Sequence, residues 1–435
     1  MARAKKEAAL TPEERLQAAL VPDWAWPYKL PKNWCWVYAP HIFDIEYGKG
    51  LPTKQLSDTG YPVFGANGQI GFYSEYMYKE PQALMSCRGA YSGTMNKSLP
   101  YSYVTSNSLI ISSPRGLMGT DCIYYLFSAL NVSELISGTA QPQVTVQAFD
   151  GFPIPLSPLA EQQRIVDRIE SLFAKLDEAK EKAQAVVDSF ETRKAAILHK
   201  AFTGELTAKW REEHGVGMES WEKKSVDELC GSLKYGTAKK SNASGSVVVL
   251  RMGNLQQGEI DWSDLAYSND PDDIEKYKLF PGDVLFNRTN SAALVGKTAI
   301  YRGEHPAIYA GYLIKLDYDH DKIIGDYLTY ALNTLDAKKY CNSVKTDGVN
   351  QSNINAKKIG AYSFNVPSIP EQEKIVAVIQ KLLSKEQQSK AAAEAVLDQI
   401  DLMKKSILAC AFRGELGTND PSEESAVELL KRTIL

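Results

Sequence analysis

The feature that most constrains this sequence is an internal repeat with a period of 210 residues. The phrase LSPLAEQQRIV at 156–166 matches VPSIPEQEKIV at 366–376, and KAAILHKAFTGEL at 194–206 matches KKSILACAFRGEL from Lys404 onward. Both pairs keep the same spacing without a gap, so one structural unit occurs twice. The segments that precede the two copies are longer and unlike each other. The order along the chain is therefore variable, repeated, variable, repeated.

The repeated unit is predicted to be a long helix. Pro158 stands before it, and Glu161 lies in its first turn, where the positive end of the helix dipole stabilises an acidic side chain. No glycine or proline follows until Gly204, and Gly414 takes the same place in the second copy. Both glycines are expected to end their helices. About 39 residues at 1.5 Å each give a helix roughly 58 Å long.

Apolar or small side chains recur along both helices at alternating spacings of four and three residues. This pattern predicts the seam of a coiled coil. The seam is interrupted by Arg193 in the first helix, and by Glu386 and Ser389 in the second. The predicted seam residues are Ile165, Ile169, Leu172, Leu176, Phe190, Ile197, Ile375, Ile379, Leu382, Val396, Ile400 and Ile407.

Each seam could pack against the other helix of the chain, a second copy of the chain or another protein. We favour pairing within the chain, because two matched helices on one chain meet at a high effective concentration. An antiparallel arrangement is expected, since it needs no long crossover connection. It would hold two globular domains apart on a stiff spacer, related by an approximate two-fold axis.

The variable segments are predicted to be mixed α/β domains, because both contain short apolar runs between glycine-containing turns. The predicted fold class is therefore α/β (α+β), with two mixed domains separated by a pair of long antiparallel coiled-coil helices and an internal pseudo-two-fold repeat. The predicted segments are a tail with a short helix at 1–27, a first domain at 28–157, a spacer helix at 158–217, a second domain at 218–367, and a distal helix with a C-terminal tail at 368–435.

No motif in the sequence indicates catalysis. There is no GxGxxG after a strand, no HExxH, no GxSxG and no Asn-Pro-Pro-Tyr-like methyltransferase motif. Gly296-Lys297-Thr298 resembles the end of a phosphate-binding loop, but Ser291 stands where that loop needs a glycine. Six scattered cysteines without a CxxC pair give no support for a zinc site. We predict a protein with no catalytic residue, no metal and no cofactor.

The charge and hydropathy exclude other classes. The formal net charge is −4, so contact with nucleic acid would have to come from local basic patches. No apolar run approaches the roughly 18 residues of a membrane span. The N-terminal stretch MARAKKEAAL lacks the apolar core of a secretory signal. A cytoplasmic location without membrane contact is expected.

Polar loops in both domains carry side chains suited to DNA. Arginine pairs with guanine edges and asparagine with adenine edges, while lysine neutralises phosphates. Most surface lysines and asparagines are only solvated, but Arg88 and Arg288 each follow an apolar strand in a loop of small polar residues. The DNA-binding candidates are Lys49, Lys54, Asn67, Arg88, Ser92, Asn96, Lys97, Lys239, Lys240, Arg251, Asn254, Arg288, Asn290 and Lys297.

The sequence resembles the specificity subunit of type I restriction–modification systems. The resemblance rests on PLSPLAEQQRIVDRIE, VPSIPEQEKIV, AFTGEL, AFRGEL and EESAVELLKR, and it extends over nearly the whole chain. It implies a non-catalytic subunit of a restriction endonuclease and adenine methyltransferase complex. Each variable domain would recognise one half of a split double-stranded DNA target, and the helices would set the gap.

The same resemblance implies partners and a role for the helix starts. The helices would dock methyltransferase (modification) subunits, two in number, and motor/nuclease restriction subunits would join the complex. Glu161, Gln162, Glu371 and Gln372 would mark the helix starts and would not contact DNA.

Two other functions stay open from the sequence. One is a methyltransferase or nuclease with an unrecognised site, which the missing motifs disfavour. The other is a coiled-coil adaptor that joins two protein-binding domains, since loops rich in arginine and asparagine also suit proteins. DNA binding that weakens steeply with added salt would favour the nucleic-acid function over the adaptor.

Overall fold

The computed structural model describes residues 11–349 and 351–434, so the stretch MARAKKEAAL lies outside the described residues. The chain forms two compact units. Unit 1 comprises the described residues up to Ala183 together with those from Ala395 onward, and unit 2 comprises Gln184–Glu394. Each unit contains one mixed α/β domain and parts of both long helices, so the boundary between the units falls within the helices.

The two long helices predicted from the repeat are present, but they differ in continuity. The first is interrupted at Ser189, whose backbone angles (φ −84°, ψ −2°) depart from those of an α-helix and whose hydroxyl donates a hydrogen bond to the carbonyl of Ala185. The second runs unbroken for 43 residues. The helices are α1 (Pro12–Ala19), α2 (Thr120–Ala129), α3 (Leu159–Asp188), α4 (Phe190–Phe202), α5 (Ala208–Glu213), α6 (Val226–Leu229), α7 (Pro271–Lys276), α8 (Gly325–Leu332), α9 (Leu335–Val344), α10 (Ala356–Gly360), α11 (Ile369–Ala411) and α12 (Ala426–Ile434).

Glycine ends both long helices as the sequence predicted. Gly204 and Gly414 have φ values of +81° and +73°, the left-handed conformation that only glycine adopts readily. The predicted short helix of the N-terminal tail is α1. Thr11 caps it and forms a reciprocal capping box with Glu14, and Pro12 stands in its first turn.

In unit 1, α3 and α11 pack antiparallel. Lys180 forms an ion pair with Asp401 at 3.9 Å, and Asp177 forms one with Lys404 at 2.6 Å. Residue numbers therefore increase along α3 where they decrease along α11, as expected for antiparallel helices.

Unit 2 shows the same antiparallel pairing between α4 and α11. The ammonium of Lys390 lies 5.0 Å from the ring centroid of Phe190, and Arg193 forms an ion pair with Glu386. Arg193 and Glu386 are two of the polar residues that interrupt the predicted seam, and each is the partner of the other. Pairing within the chain is thus confirmed in both units.

Six of the twelve predicted seam residues are buried, five are half-buried and one is exposed. Ile165 and Ile169 are fully buried in unit 1, as are Ile375 and Ile379 in unit 2. Val396, by contrast, is 41% exposed and lies outside the packed seam. The heptad pattern predicted where the helices pair but not that this position faces solvent.

The domain of unit 1 is built on short strands. A four-stranded antiparallel sheet has the order β2-β8-β5-β6, and a three-stranded sheet has the order β4-β3-β7 with β3 and β7 parallel. β1 pairs with β11, and β9 pairs with β10. The strands are β1 (Cys35–Tyr38), β2 (Asp44–Tyr47), β3 (Tyr61–Gly65), β4 (Gly68–Tyr73), β5 (Ala83–Ser86), β6 (Met95–Lys97), β7 (Tyr103–Val104), β8 (Ser108–Ser112), β9 (Ile136–Ser137), β10 (Gln143–Val144) and β11 (Pro153–Leu156).

The domain of unit 2 has matching sheets. Its four-stranded sheet has the order β13-β22-β18-β20, and its two three-stranded sheets have the orders β17-β14-β21 and β19-β24-β23. β15 pairs with β16, and β12 pairs with β25. The strands are β12 (Glu222–Ser225), β13 (Cys230–Tyr235), β14 (Val247–Leu250), β15 (Leu255–Gln256), β16 (Glu259–Ile260), β17 (Ala266–Ser268), β18 (Val284–Asn287), β19 (Thr289–Asn290), β20 (Thr298–Ile300), β21 (Ala307–Tyr309), β22 (Leu313–Tyr318), β23 (Thr346–Asp347), β24 (Ser352–Asn353) and β25 (Ser363–Val366).

The two main sheets have the same strand order in both domains, which confirms the mixed α/β fold and its repeat, while β15, β16 and β19 of unit 2 have no counterpart strand among those of unit 1. Each domain has one parallel strand pair, β3 with β7 and β14 with β21. Two strands of the four-stranded sheet lie between the members of each pair in the chain. The closing strands keep the period of 210, since Leu156 pairs with Cys35 and Val366 pairs with Glu222. The repeat therefore extends into the segments whose sequences differ.

Each unit has its own hydrophobic core. The core of unit 1 joins Trp36 and Phe127 of the domain to Ile165 of α3 and Phe412 beyond α11, and it includes Leu430 of α12. The C-terminal helix α12 thus packs on the first domain. The core of unit 2 joins the domain to α4 and α11 in the same way. None of the described helices is both long and apolar enough to cross a membrane.

Candidate nucleic-acid interface

The glutamine at the start of each long helix fastens that helix to its own domain. In unit 1 the amide of Gln162 donates to the carbonyls of Leu117 and Ser157, at 2.9 and 3.1 Å. In unit 2 the amide of Gln372 donates to the carbonyls of Lys322 and Pro367, at 3.0 and 2.8 Å. Both side chains are buried. They hold the frame of each unit and do not face solvent.

The glutamate beside each glutamine fastens the segment that follows the other long helix. In unit 1 the buried carboxylate of Glu161 accepts a hydrogen bond from the indole of Trp34 at 2.8 Å and one from the hydroxyl of Thr418 at 3.3 Å. Burial raises the pKa of Glu161, and the hydrogen bonds from Trp34 and Thr418 offset part of this increase.

In unit 2 the equivalent Glu371 is also buried, but its partners include a cation. Its carboxylate accepts hydrogen bonds from Thr207 and Arg211, both at 2.7 Å, and from the indole of Trp221 at 3.0 Å. Arg211 is itself buried and also donates to the carbonyl of Gly204. The segment that follows each long helix is therefore held by the carboxylate in the first turn of the other long helix.

Four of the sequence-predicted cations of unit 2 converge on one cleft of about 620 Å³: Lys239, Lys240, Arg251 and Arg288. The topology explains the convergence. Arg251 directly follows β14, which runs parallel to β21, so the residues after both strands meet at one edge of the sheet. Lys239 and Lys240 come close because the segment after β13 bridges to the residue after β21.

Arg288 lies in this cleft directly after β18 and is half-buried. Its two terminal nitrogens donate to the carbonyl of Gly311 at 3.3 Å and to the side-chain oxygen of Asn353 at 3.1 Å. Its guanidinium carbon lies 4.7 Å from the ring centroid of Tyr235, a cation–π contact. The Nε–H is buried without a hydrogen-bond partner. In the described part of the chain, no acidic side chain pairs with Arg288.

The other cations of the cleft differ in how far their charge is compensated. Lys239 is hydrogen-bonded to Asp270 at 2.6 Å, and this contact raises the pKa of Lys239. Arg251 pairs with the exposed Asp264 at 3.0 Å. Lys240 is exposed and makes no ion pair within residues 11–349 and 351–434. The cleft therefore presents Arg288 and Lys240 as its uncompensated positive charges.

The remaining candidates of unit 2 support loops. Asn254 is only 3% exposed, and its amide donates to the carbonyls of Asp261 and Asp264, so the structure gives it an internal role and no access to DNA. The side-chain oxygen of Asn290 accepts from the backbone of the next residue. Lys297 donates to Gln256 at 2.9 Å, and burial lowers its pKa.

The candidates of unit 1 do not line one cleft. Three of them are engaged within the domain: Lys97 pairs with Asp121 at 2.6 Å, Ser92 donates to the carbonyl of Pro142, and Asn96 donates to Ser86. The other four, Lys49, Lys54, Asn67 and Arg88, are exposed in loops. Arg88 follows β5, as Arg288 follows β18, but it stands one residue later. The carbonyl of Arg288 accepts a hydrogen bond from Ile354, whereas in unit 1 the carbonyl of Cys87 accepts the equivalent bond from Val144.

Sequence reasoning missed several aromatic and polar residues at these surfaces. In unit 2 these are Tyr235 and Asn353, which contact Arg288, and Tyr312, which lines the cleft. In unit 1, Tyr76 lies between Tyr61 and Tyr101, with ring centroids 4.9 and 5.2 Å apart, and all three are exposed. The high tyrosine content of the first variable segment was the available signal.

A groove repeats in both units beside the end of a long helix. In unit 2 it encloses about 550 Å³ and includes Phe202 and Tyr362, and in unit 1 it encloses about 360 Å³ and includes Phe412 and Phe152. Phe412 stands 210 positions after Phe202, and Tyr362 stands 210 positions after Phe152. Among the described residues, no cluster of histidine, cysteine and acidic side chains is suited to a metal ion.

The repeated frame and its unlike loops are those of a specificity domain that occurs twice. The family described as the type I restriction modification DNA specificity domain matches residues 31–187 and 218–395, and the chain belongs to this family.

Individual relatives agree. The chain is 27% identical over 289 residues to the type I restriction enzyme StySPI specificity subunit of Salmonella potsdam, and 28% identical over 294 residues to the EcoKI specificity subunit of Escherichia coli (strain K12). Each alignment covers 66% of this chain and 62% of the relative, so it spans less than two thirds of those proteins.

Solved structures share the fold. The HsdS subunit from Thermoanaerobacter tengcongensis has a TM-score of 0.58 at 20% identity, covering 89% of this chain and 99% of that one. A chain from a study of complex assembly and conformational transition of the type I R-M system has a TM-score of 0.66 at 20% identity, covering 89% of this chain and 100% of that one.

Proposed function

We propose that this chain is the sequence-specific DNA-binding specificity subunit of a type I restriction–modification complex and is not itself catalytic. The observation that carries the proposal is the duplicated frame with different loops. Both domains have the same strand order in their two main sheets and the same glutamate–glutamine anchor, while the side chains at their strand ends differ. A frame built twice with unlike loops suits a bipartite double-stranded DNA target whose two halves differ.

In the second domain, the cleft is the proposed recognition surface. Its exposed Lys240 suits phosphate contacts, and its oriented Arg288 suits a base edge. In the first domain the exposed Lys49, Lys54, Asn67 and Arg88 are proposed to contact DNA. Asn254 is left out of the interface because its amide is used inside the domain.

The long helices are proposed to fix the gap between the two half-sites. Within each unit, side-chain pairs hold the two helices antiparallel in one register, through Lys404 with Asp177 in unit 1 and Arg193 with Glu386 in unit 2. A pair of helices in fixed register resists bending more than a single helix does, which suits a spacer of constant length.

The proposed partners are two methyltransferase subunits and motor/nuclease restriction subunits, in a complex that works in the cytoplasm without membrane contact. The groove that recurs in each unit supports two copies of one modification subunit, because a surface presented twice binds the same partner twice. The net charge of −4 supports weak DNA binding by the chain alone, with the partners supplying much of the contact to the phosphates.

Base-resolution mapping of modified DNA tests the proposal. Cells that express the methyltransferase subunits should methylate a split sequence only when this chain is present. Arg88→Ala should alter one half of that sequence and leave the other half and the gap unchanged. A methylation pattern that does not depend on the chain would contradict the proposal. DNA binding by the purified complex that is insensitive to salt would favour a protein adaptor instead.

A further inference from the structure

We propose that Arg288 recognises a guanine in the half-site of the second domain, and that Tyr235 and Asn353 are positioning residues that hold its guanidinium for this contact. The inference rests on the proposed function and deepens it, because it names a base that the half-site must contain. Three observations support it: the anchoring of the Arg288 backbone, the unused donors of its side chain, and the absence of a compensating acid in the described cleft.

The backbone of Arg288 is fixed on both sides. Its N–H donates to the carbonyl of Tyr312 at 3.0 Å, and its carbonyl accepts from the N–H of Ile354 at 2.9 Å. The residue before it belongs to β18, which is buried along its whole length. The side chain therefore starts from a rigid point at the floor of the cleft, as base recognition requires and phosphate contacts do not.

The side chain is oriented but not saturated. A guanidinium has five N–H donors. One donor is used on Gly311 and one on Asn353, while the ring of Tyr235 lies against the guanidinium. The Nε–H is buried, so two donors remain open to a ligand, one on each terminal nitrogen, and a bidentate contact needs two. Guanine presents two acceptors, O6 and N7, in the major groove, whereas adenine presents one acceptor and one donor and cannot take two donors.

The charge of Arg288 lacks the compensation that other arginines of this domain have. Arg211 is bonded to Glu371, and Arg302 pairs with Glu259 at 2.7 Å and Asp326 at 2.6 Å. The partners of Arg288 are a backbone carbonyl and a neutral amide. An arginine that served only the fold would be expected to have an acid beside it. The acceptor missing here is supplied by the ligand.

Asn353 does not itself read a base. Its amide nitrogen donates to the hydroxyl of Thr289 at 2.8 Å and its oxygen accepts from Arg288, so both ends of the amide are used within the protein. It therefore acts by holding the arginine. Tyr235 holds the arginine through its ring, while its hydroxyl accepts a hydrogen bond from the N–H of Ala356 at 2.9 Å.

The test measures base discrimination by the chain in complex with its methyltransferase subunits. Duplexes of the mapped target are compared with duplexes in which each guanine of the second half-site is replaced in turn by 7-deazaguanine, which lacks the N7 acceptor. One replacement should weaken binding of the wild-type complex and leave the Arg288→Ala complex unaffected. Arg288→Ala should also lose roughly 5- to 150-fold discrimination at that one position.

Matched variants separate base reading from other roles. Lys240→Ala, at the exposed rim of the same cleft, should weaken binding to all sequences and lower the salt slope by about 1 without relaxing discrimination. Tyr235→Leu should reduce discrimination at the Arg288 position alone. Recognition of the first half-site by each variant shows that the chain is folded. If Arg288→Ala does not recognise the first half-site, the inference is tested instead with Arg288→Lys and with the 7-deazaguanine duplexes on the wild-type complex.

Two results would overturn the inference. One is a second half-site in which no 7-deazaguanine replacement affects the wild type. The other is an Arg288→Ala complex that weakens equally on all sequences with a reduced salt slope, which would make Arg288 a phosphate contact. If the wild-type complex recognises no sequence at all, the proposed function fails instead, so the two failures are distinguishable.

Discussion

Glu161 in unit 1 and Glu371 in unit 2 hold equivalent positions, yet their negative charges are compensated in different ways. Glu161 accepts from an indole and a hydroxyl, which are neutral donors, whereas Glu371 also contacts the buried guanidinium of Arg211. The geometry of the frame is the same, but the electrostatics are not. The comparison teaches that the repeat preserves the position of the buried carboxylate and its hydrogen bonds, whereas the presence of a neighbouring cation differs between the units.

The surfaces of the two domains differ in a similar way. The first domain exposes a row of tyrosines, Tyr61, Tyr76 and Tyr101, and scattered polar residues. The second domain gathers its cations in a cleft around Arg288. Two domains of one topology can therefore carry unlike chemistry at their strand ends, because the sheets are held by buried residues that do not reach those loops.

The largest expected effect comes from removing the charge of Glu371. Glu371→Gln leaves Arg211 buried without an anion, and we expect unit 2 to lose about 3–5 kcal/mol of unfolding free energy. Urea unfolding, with hydrogen exchange to assign each transition to a unit, measures the loss. Glu161→Gln is the matched control, and it should destabilise unit 1 by much less because no cation depends on that charge. Equal losses in the two variants would contradict the comparison.

A smaller, pH-dependent effect is expected at Glu161. Burial raises the pKa of Glu161 above its ordinary value of 4.5, so the folded chain keeps this proton to a higher pH than the unfolded chain does. The contribution of Glu161 to stability should therefore fall as the pH rises from about 4.5 to the folded pKa, and stay constant above it. Glu161→Gln lacks this titration.

Urea titrations of the wild type and Glu161→Gln across weakly acidic to neutral pH test this expectation. The variant should gain stability relative to the wild type as the pH rises through that window. A stability difference that is independent of pH would show that the carboxylate is fully stabilised by Trp34 and Thr418.

The smallest effects are expected along the helices, and they should again differ between the units. Glu386 accepts from Arg193 in a half-buried seam, whereas Asp401 and Lys180 are exposed and 3.9 Å apart. Glu386→Ala should cost about 1 kcal/mol, and Asp401→Ala should cost less than about 0.5 kcal/mol. Thermal unfolding of both variants at low and high salt provides the measurement, and a larger loss in Asp401→Ala would contradict the distinction.

Much of the frame could be predicted from the sequence, because a helix is indicated by the spacing of residues that are close in the chain. The spacing of apolar residues such as Ile165 and Ile169 predicted the first long helix, and Gly204 predicted where it ends. The interruption at Ser189 could not be predicted, since serine is only mildly unfavourable in a helix and the outcome depends on whether its hydroxyl bonds to the preceding turn. The exposure of Val396 likewise depends on the facing helix.

The candidate site was predicted less completely. Residue type and loop context selected Lys240 and Arg288, but they also selected Asn254, which the fold places inside, and Lys97, which pairs with Asp121. Type alone cannot separate a solvent-facing side chain from one whose polar atoms are used within the protein.

The sequence by itself determined the repeat, the helices, the mixed domains and the family, since each depends on residues that are close in the chain or that recur at a fixed spacing. Only the tertiary structure decided which polar side chains meet. The partners of Arg288 come from β13, β24 and the turn before β22, and no local pattern links those segments. Their meeting depends on how the strands pair, and pairing is a property of the whole folded domain.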